Sequence, residues 1–163
     1  MSSLAEKGMG LFVRVHDAVY QRTGGWIGHR IPFAPPMLLL HSVGAKTGAP
    51  RTHSLAYFRD GGDYLVVASN GGAPRNPAWY HNLLAHPDVD INLGPSRVRV
   101  RAHAVLPAEP DYARLFALCD EANAGRYAAY QTLTTRPIPV VRLSPVIPRP
   151  TTPLRPPRPA SPE

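Results

Sequence analysis

The sequence predicts an α+β chain that is mainly β: about six mostly antiparallel strands, with helices inserted between them and at the flanks. Three observations carry this. Apolar, β-rich runs at residues 37–43, 51–58 and 64–69 are separated by two glycine turns, Gly44-Ala45-Lys46-Thr47-Gly48 and Gly61-Gly62. Residues 97–105 alternate strictly, with Val98, Val100, Ala102 and Ala104 on one side and Arg97, Arg99, Arg101 and His103 on the other. Between these runs the apolar spacing lengthens to that of helices, at 77–86 and again at 107–120. A small barrel, a roll and a sandwich all satisfy the pattern.

Taken in order, residues 4–22 read as an amphipathic helix, with Leu11, Val15 and Val19 on one face. A proline-rich connector closes this N-terminal segment, residues 1–36. The three β-rich runs read as a meander. After the third, Asn70-Gly71-Gly72 breaks the strand, and Asn76-Pro77 reads as an N-cap with proline at the first helical position. Pro87 stops that helix. Residues 89–93 form a short strand, and Gly94-Pro95-Ser96 turns it into the alternating run at 97–105. The second helix follows, a helical turn at 126–132 comes next, and 138–143 is the last strand. The core domain is thus 37–144. The proline- and arginine-rich residues 145–163 cannot build a core and read as a disordered tail.

Composition narrows the function. The chain has 163 residues, room for one domain, and 44% are hydrophobic, enough for a core. A net charge of +7 implies an anionic partner: a polyanionic cofactor, nucleic acid or an anionic membrane. The basic face at 97–103 reads as a solvated surface, with a landing strip for anions as the functional option. It carries no interleaved aromatics, which argues against nucleic acid. The lone cysteine, Cys119, excludes an intramolecular disulfide and falls at helical spacing with Tyr112, Leu115 and Phe116, as a buried core thiol does. No histidine pair has metal-ligand spacing, so no metal site is expected. No signal peptide and no long apolar run are evident, which predicts a cytoplasmic chain. A peripheral membrane contact through the first helix is the alternative placement.

The most informative stretch is the first glycine turn. Gly44 and Gly48 are expected to take positive φ and to aim backbone N–H groups into one concavity. Lys46 and Arg51 add positive charge and Thr47 a hydroxyl, a set that suits phosphate. It is not a P-loop, because Ala45 separates Gly44 from Lys46 and a strand, not a helix, follows. The second glycine loop runs into a helix N-terminus, another anion-favouring end.

Together these residues carry a resemblance. Gly44-x-Lys46-Thr47-Gly48-x-Pro50-Arg51, followed by Ala68-Ser69-x-Gly71-Gly72-Ala73-x-x-Asn76-Pro77-x-Trp79-Tyr80-x-Asn82-Leu83, resembles the deazaflavin-dependent nitroreductase family. Ile138-Pro139-Val140-Val141 is similar to that family's last strand. The likeness covers roughly residues 10 to 145. It implies a split β-barrel and coenzyme F-420, an 8-hydroxy-5-deazaflavin, as cofactor. By resemblance, Gly44, Lys46, Thr47, Gly48 and Arg51 hold its phosphate. Ala68, Ser69, Asn70 and Gly71 lie against its ring, and Trp79 walls the site. The implied reaction is hydride transfer to an electron-poor small molecule such as a quinone, a nitroaromatic or an activated enone. Ser69, Tyr127 and Tyr130 are the implied residues on the acceptor side. The sequence departs from the family at Ala45, where an arginine is common, at Asn70, where a lysine is common, and at Ala124, in place of a third pocket tyrosine. Two rival readings remain: a flavin mononucleotide (FMN) oxidoreductase on the same barrel, and a non-catalytic basic module binding an anionic membrane or nucleic acid. The oligomeric state is not set by the sequence.

Overall fold

The computed structural model describes residues 35–146. The helix expected at 4–22 and the tail beyond residue 146 lie outside them. The described chain forms strands β1 (Met37–Val43), β2 (Pro50–Ala56), β3 (Phe58–Asp60), β4 (Asp63–Val67), β5 (Asp88–Leu93), β6 (Ser96–Val105) and β7 (Val140–Pro145). Three helices are α1 (Ala78–Ala85), α2 (Tyr112–Ala122) and α3 (Arg126–Gln131).

The strands form one antiparallel sheet in the order β2-β1-β5-β6-β7-β4-β3. Its two outermost strands, β2 and β3, are separated in sequence by Tyr57 alone. One continuous run therefore reaches from one edge of the sheet to the other, and the sheet curls until its edges meet at that residue. The Tyr57 N–H donates to the Pro36 carbonyl at 3.0 Å, which carries the β1–β2 pairing one residue past Ala56 before the chain passes to β3. This is why the strand expected at 51–58 appears as two and the count is seven rather than six. It also corrects the simple meander, since β2 and β4 are not neighbours in the sheet. The two edge strands pair on one side only, β2 with β1 and β3 with β4.

Strand alternation then sorts the side chains. Leu38, Leu40, Val66, Val89, Ile91, Val100, Val141 and Leu143 point into the barrel, where Trp79, Tyr80 and Leu83 of α1 plug it. The opposite faces of β3, β4 and β7 carry Phe58, Leu65, Val67 and Val140 against Leu115 and Cys119 of α2 and Tyr127 of α3. Arg114 forks onto Asp60 with two bonds of 2.9 Å, fastening α2 to β3. Cys119 is fully buried, and burial, its largest cause, pushes its thiol up to about 12. It is an inert core residue.

Two expectations need correction. The second helix begins at Tyr112 rather than Pro107, because residues 107–111 are taken up in turns. The basic face of β6 is not a free strip. The two-residue turn at Gly94 and Pro95 sets Asp90 opposite Arg99 and Asp88 opposite Arg101. Asp90 accepts from Arg97 at 2.8 and 3.2 Å and Arg99 at 3.5 Å, Asp88 from Arg101 at 3.0 and 3.2 Å, and Glu109 pairs with His103 at 2.8 Å. Hydrogen bonds from Arg97, reinforced by the charges of Arg97 and Arg99, hold the Asp90 carboxyl below its ordinary range. These exposed pairs contribute little stability, but they neutralise most of a surface that would otherwise attract polyanions.

Candidate functional site

The turn between β1 and β2 is built from the inside. The Gly44 N–H donates to the Ala49 carbonyl and the Gly48 N–H to the Gly44 carbonyl, both at 2.8 Å. The Ala49 N–H reaches the Thr47 hydroxyl at 3.3 Å. Gly48 takes the expected left-handed conformation, with φ of 66°. Gly44 does not. A Cβ there would meet the Thr47 hydroxyl at 2.5 Å, so a larger residue requires that side chain, with its bond from the Ala49 N–H, to shift. The N–H groups of Gly44, Gly48 and Ala49 are engaged within the turn, which corrects the expected backbone nest. An anion here is met mainly by side chains.

The buried amide of Asn82 ties this turn to α1. Its Oδ1 accepts from the Ala45 N–H at 3.0 Å, and its Nδ2 donates to the Ser42 hydroxyl at 3.2 Å. Asn82→Ala strips the buried Ser42 hydroxyl and the Ala45 N–H of this partner. The expected cost is about 1–3 kcal/mol, read as a lower urea midpoint with unchanged slope.

Between the turn, β2 and α1 lies a cavity of about 500 Å³. Lys46, Arg51 and Arg75 line it with Thr47, His53, His81 and Asn82, and among the described residues no carboxylate does. Ala78, the first residue of α1, also lines it, so the positive end of the helix opens onto the same space. Asn76 is on the rim but does not cap the helix: α1 follows Pro77 without a side-chain cap, and the Asn76 amide oxygen instead accepts from Arg136 at 2.6 Å. A second, apolar cavity of about 350 Å³ is lined by Tyr80, Leu83 and Leu84, the opposite face of α1.

Arg136 was not singled out by the sequence, yet it organises the second glycine loop. Its guanidinium donates to the carbonyls of Ala73 (2.9 Å), Ala68 (3.3 Å) and Ser69 (2.7 Å), besides Asn76. Gln131 braces the segment that delivers it, donating to the Arg136 carbonyl at 2.8 Å and accepting from the Ile138 N–H at 2.9 Å. At the other end, Asn70 in the left-handed region (φ 48°) donates its amide to the Arg75 carbonyl at 2.9 Å. Asn70 thereby holds Arg75 in place at the cavity.

The residues implied by resemblance fall into two groups. Gly44, Lys46, Thr47 and Arg51 line the cavity and Gly48 shapes its turn. Asn70 and Gly71 are exposed, and the Gly71 Cα faces open space. Ala68, Ser69 and Trp79 are buried. Tyr127 is buried in the outer core, edge-on to Phe58 and Tyr130, and burial pushes its hydroxyl pKa far up. Tyr130 is half-buried and backs the loop: its carbonyl would lie 2.7 Å from any side chain at Gly72. Ala124 is exposed in the turn between α2 and α3. His53, Arg75, His81 and Asn82 were missed as site residues; for Arg75 the signal was a cation one residue before Asn76-Pro77.

Comparison with known proteins places this site in context. Residues 12–145 match the family described as F420H(2)-dependent quinone reductase. An F420H(2)-dependent quinone reductase of Mycobacterium tuberculosis is 62% identical over 132 residues, covering 81% of this chain and 89% of that protein. A solved F420-H2 dependent reductase (FDR-A) matches with a TM-score of 0.60 and 33% identity, over 71% of this chain and 99% of that one. The haem storage protein HutZ of Vibrio cholerae, at 15% identity and a TM-score of 0.53 over 68% of this chain and 82% of its own, shares the fold alone.

Proposed function

This chain belongs to the F420H(2)-dependent quinone reductase family, and we propose that the cationic cavity beneath α1 is where it holds the cofactor. Its reaction is transfer of a hydride from reduced coenzyme F-420 to a quinone. The observation that carries the site assignment is the donor set. Lys46, Arg51 and Arg75 converge with a helix N-terminus and, among the described residues, face no carboxylate, a set that fits a phosphodiester and a carboxylate tail.

The cofactor supplies the hydride chemistry. The chain supplies position. Lys46 and Arg51 fix the phosphate at one end. The Asn70-Gly71 backbone, open above, offers the flat surface for the ring. Ser69 and Tyr130 lie on the loop side from which an acceptor would approach, and Ser69 is the nearer candidate to donate a hydrogen bond to developing negative charge. Tyr127 acts by packing, since its ring is locked between Phe58 and Tyr130. The paired arginines of β6 lie outside the cavity and take no part.

The family match favours the deazaflavin over FMN and over a non-catalytic basic module. A peripheral membrane contact through residues 4–22 would bring the site to lipid-soluble quinones. Among the described residues no helix is long and apolar enough to cross a membrane.

Anaerobic mixing of the protein, reduced coenzyme F-420 and a naphthoquinone tests the reading. The return of oxidised-cofactor fluorescence should follow quinone concentration, with one cofactor oxidised per quinone reduced. Turnover with FMN alone, or none with F-420, would overturn it.

A further inference from the structure

His53 stands apart from the cations around it. It lies on β2 two residues after Arg51, on the same face of the strand, and its ring lines the cavity. Its Nδ1 is shut away from solvent and has no hydrogen-bond partner among the described residues. A proton on Nδ1 would be a buried donor with nothing to accept it, which is costly. The favourable tautomer leaves Nδ1 as a bare lone pair and puts the proton on Nε2, the ring nitrogen left to face a ligand.

Resting on the cofactor assignment above, we infer that His53 recognises the bound anion as a neutral imidazole, donating its Nε2–H to a phosphate or carboxylate oxygen, and is not a further cation of the site. The charged and titratable groups lining the same space are Lys46 from the turn, Arg51 from β2, Arg75 from the second glycine loop and His81 from α1. Lys46, Arg51 and Arg75 are cations, so they oppose a further charge on the ring. Burial first, and the Arg51 charge second, hold His53 below the ordinary histidine value. A ring in this state keeps its neutral form at neutral pH. It also carries a stability cost in acid: as pH falls below about 6.5 the unfolded chain takes up a proton that the folded ring refuses, so stability drops until the folded value is reached. A neutral donor reads an oxyanion without adding to the repulsion among the site's cations.

Two measurements test this. The first is the ¹⁵N spectrum of histidine-labelled full-length protein without ligand. Assigned through the loss of one ring signal in His53→Gln, His53 should show the neutral Nε2–H pattern at pH 7. The second is fluorescence titration with oxidised coenzyme F-420 for wild type, His53→Phe and His53→Gln between pH 6.5 and 8. His53→Phe should bind roughly tenfold more weakly, the usual effect of losing one donor to a charged acceptor. His53→Gln, which keeps a side-chain N–H, should recover most of that loss. The ratio between wild type and His53→Phe should not change with pH, and the cofactor's own titration cancels in it. A ratio that grows as pH falls would mean a cationic ring and would overturn the inference, as would equal binding by His53→Phe or a charged ring in the spectrum. Failure of wild type to bind F-420 at any pH would instead overturn the cofactor assignment, and the spectrum would still decide the state of His53.

Discussion

Arg136→Ala is expected to release the loop at 68–76 from the barrel and to weaken coenzyme F-420 binding by about 10- to 100-fold, although the residue does not line the cavity. One guanidinium satisfies three carbonyls of that loop and the Asn76 amide. Ala68 and Ser69 are buried, so their carbonyls cannot simply turn to water. Removing a charged donor from acceptors of this kind costs about 2–4 kcal/mol, less than the sum of four separate bonds because the loop relaxes. Desolvation lowers the Arg136 pKa from its ordinary value, but an arginine stays charged at any pH at which the protein is folded. Arg136→Lys should recover little, because an ammonium cannot fork across four acceptors. The readouts are the unfolding midpoint and amide hydrogen exchange across 68–76. Unchanged exchange in that loop would show that Arg136 does not hold it.

Lys46→Ala and Arg51→Ala should each weaken F-420 binding by about 10- to 100-fold, the equivalent of roughly 1.5–3 kcal/mol for one charge-assisted hydrogen bond. Stability should barely move in either variant, since both side chains are exposed. That separation of affinity from stability distinguishes them from Arg136, whose removal affects both. The losses should shrink at high salt, because screening already weakens the wild-type contacts there. Thr47→Ala should matter less, as its hydroxyl is engaged by the Ala49 N–H. Unchanged affinity in both cation variants would remove the phosphate from this turn.

Much of the fold was legible. Alternation identified β6 and its inward valines, and the glycine turns marked where β1 ends and, to within a residue, where β4 begins. Local pattern could not show that the run at 51–58 bends at Tyr57 to join opposite edges of the sheet, because nothing in the run itself breaks its β character. The pairing of the β6 arginines was within reach: a two-residue turn at Gly94-Pro95 fixes the register, and counting back from it sets Asp90 and Asp88 against them. In the site, the first turn's cations were read directly. The backbone nest was not, because glycine content does not say whether N–H groups face outward or close on the turn itself. Arg136 was invisible for a different reason. Its partners lie 60 or more residues away in sequence, and an isolated arginine in a polar loop reads as solvated. His53 likewise shows its role only through the burial of one ring nitrogen.

The most direct test is a fluorescence titration of wild type and of the Lys46→Ala/Arg51→Ala double variant with oxidised coenzyme F-420, with FMN run in parallel. The account predicts micromolar or tighter binding of F-420 by wild type, much weaker binding of FMN, and a loss of at least about 100-fold in the double variant. Equal affinity in the double variant, or a preference for FMN, would contradict it.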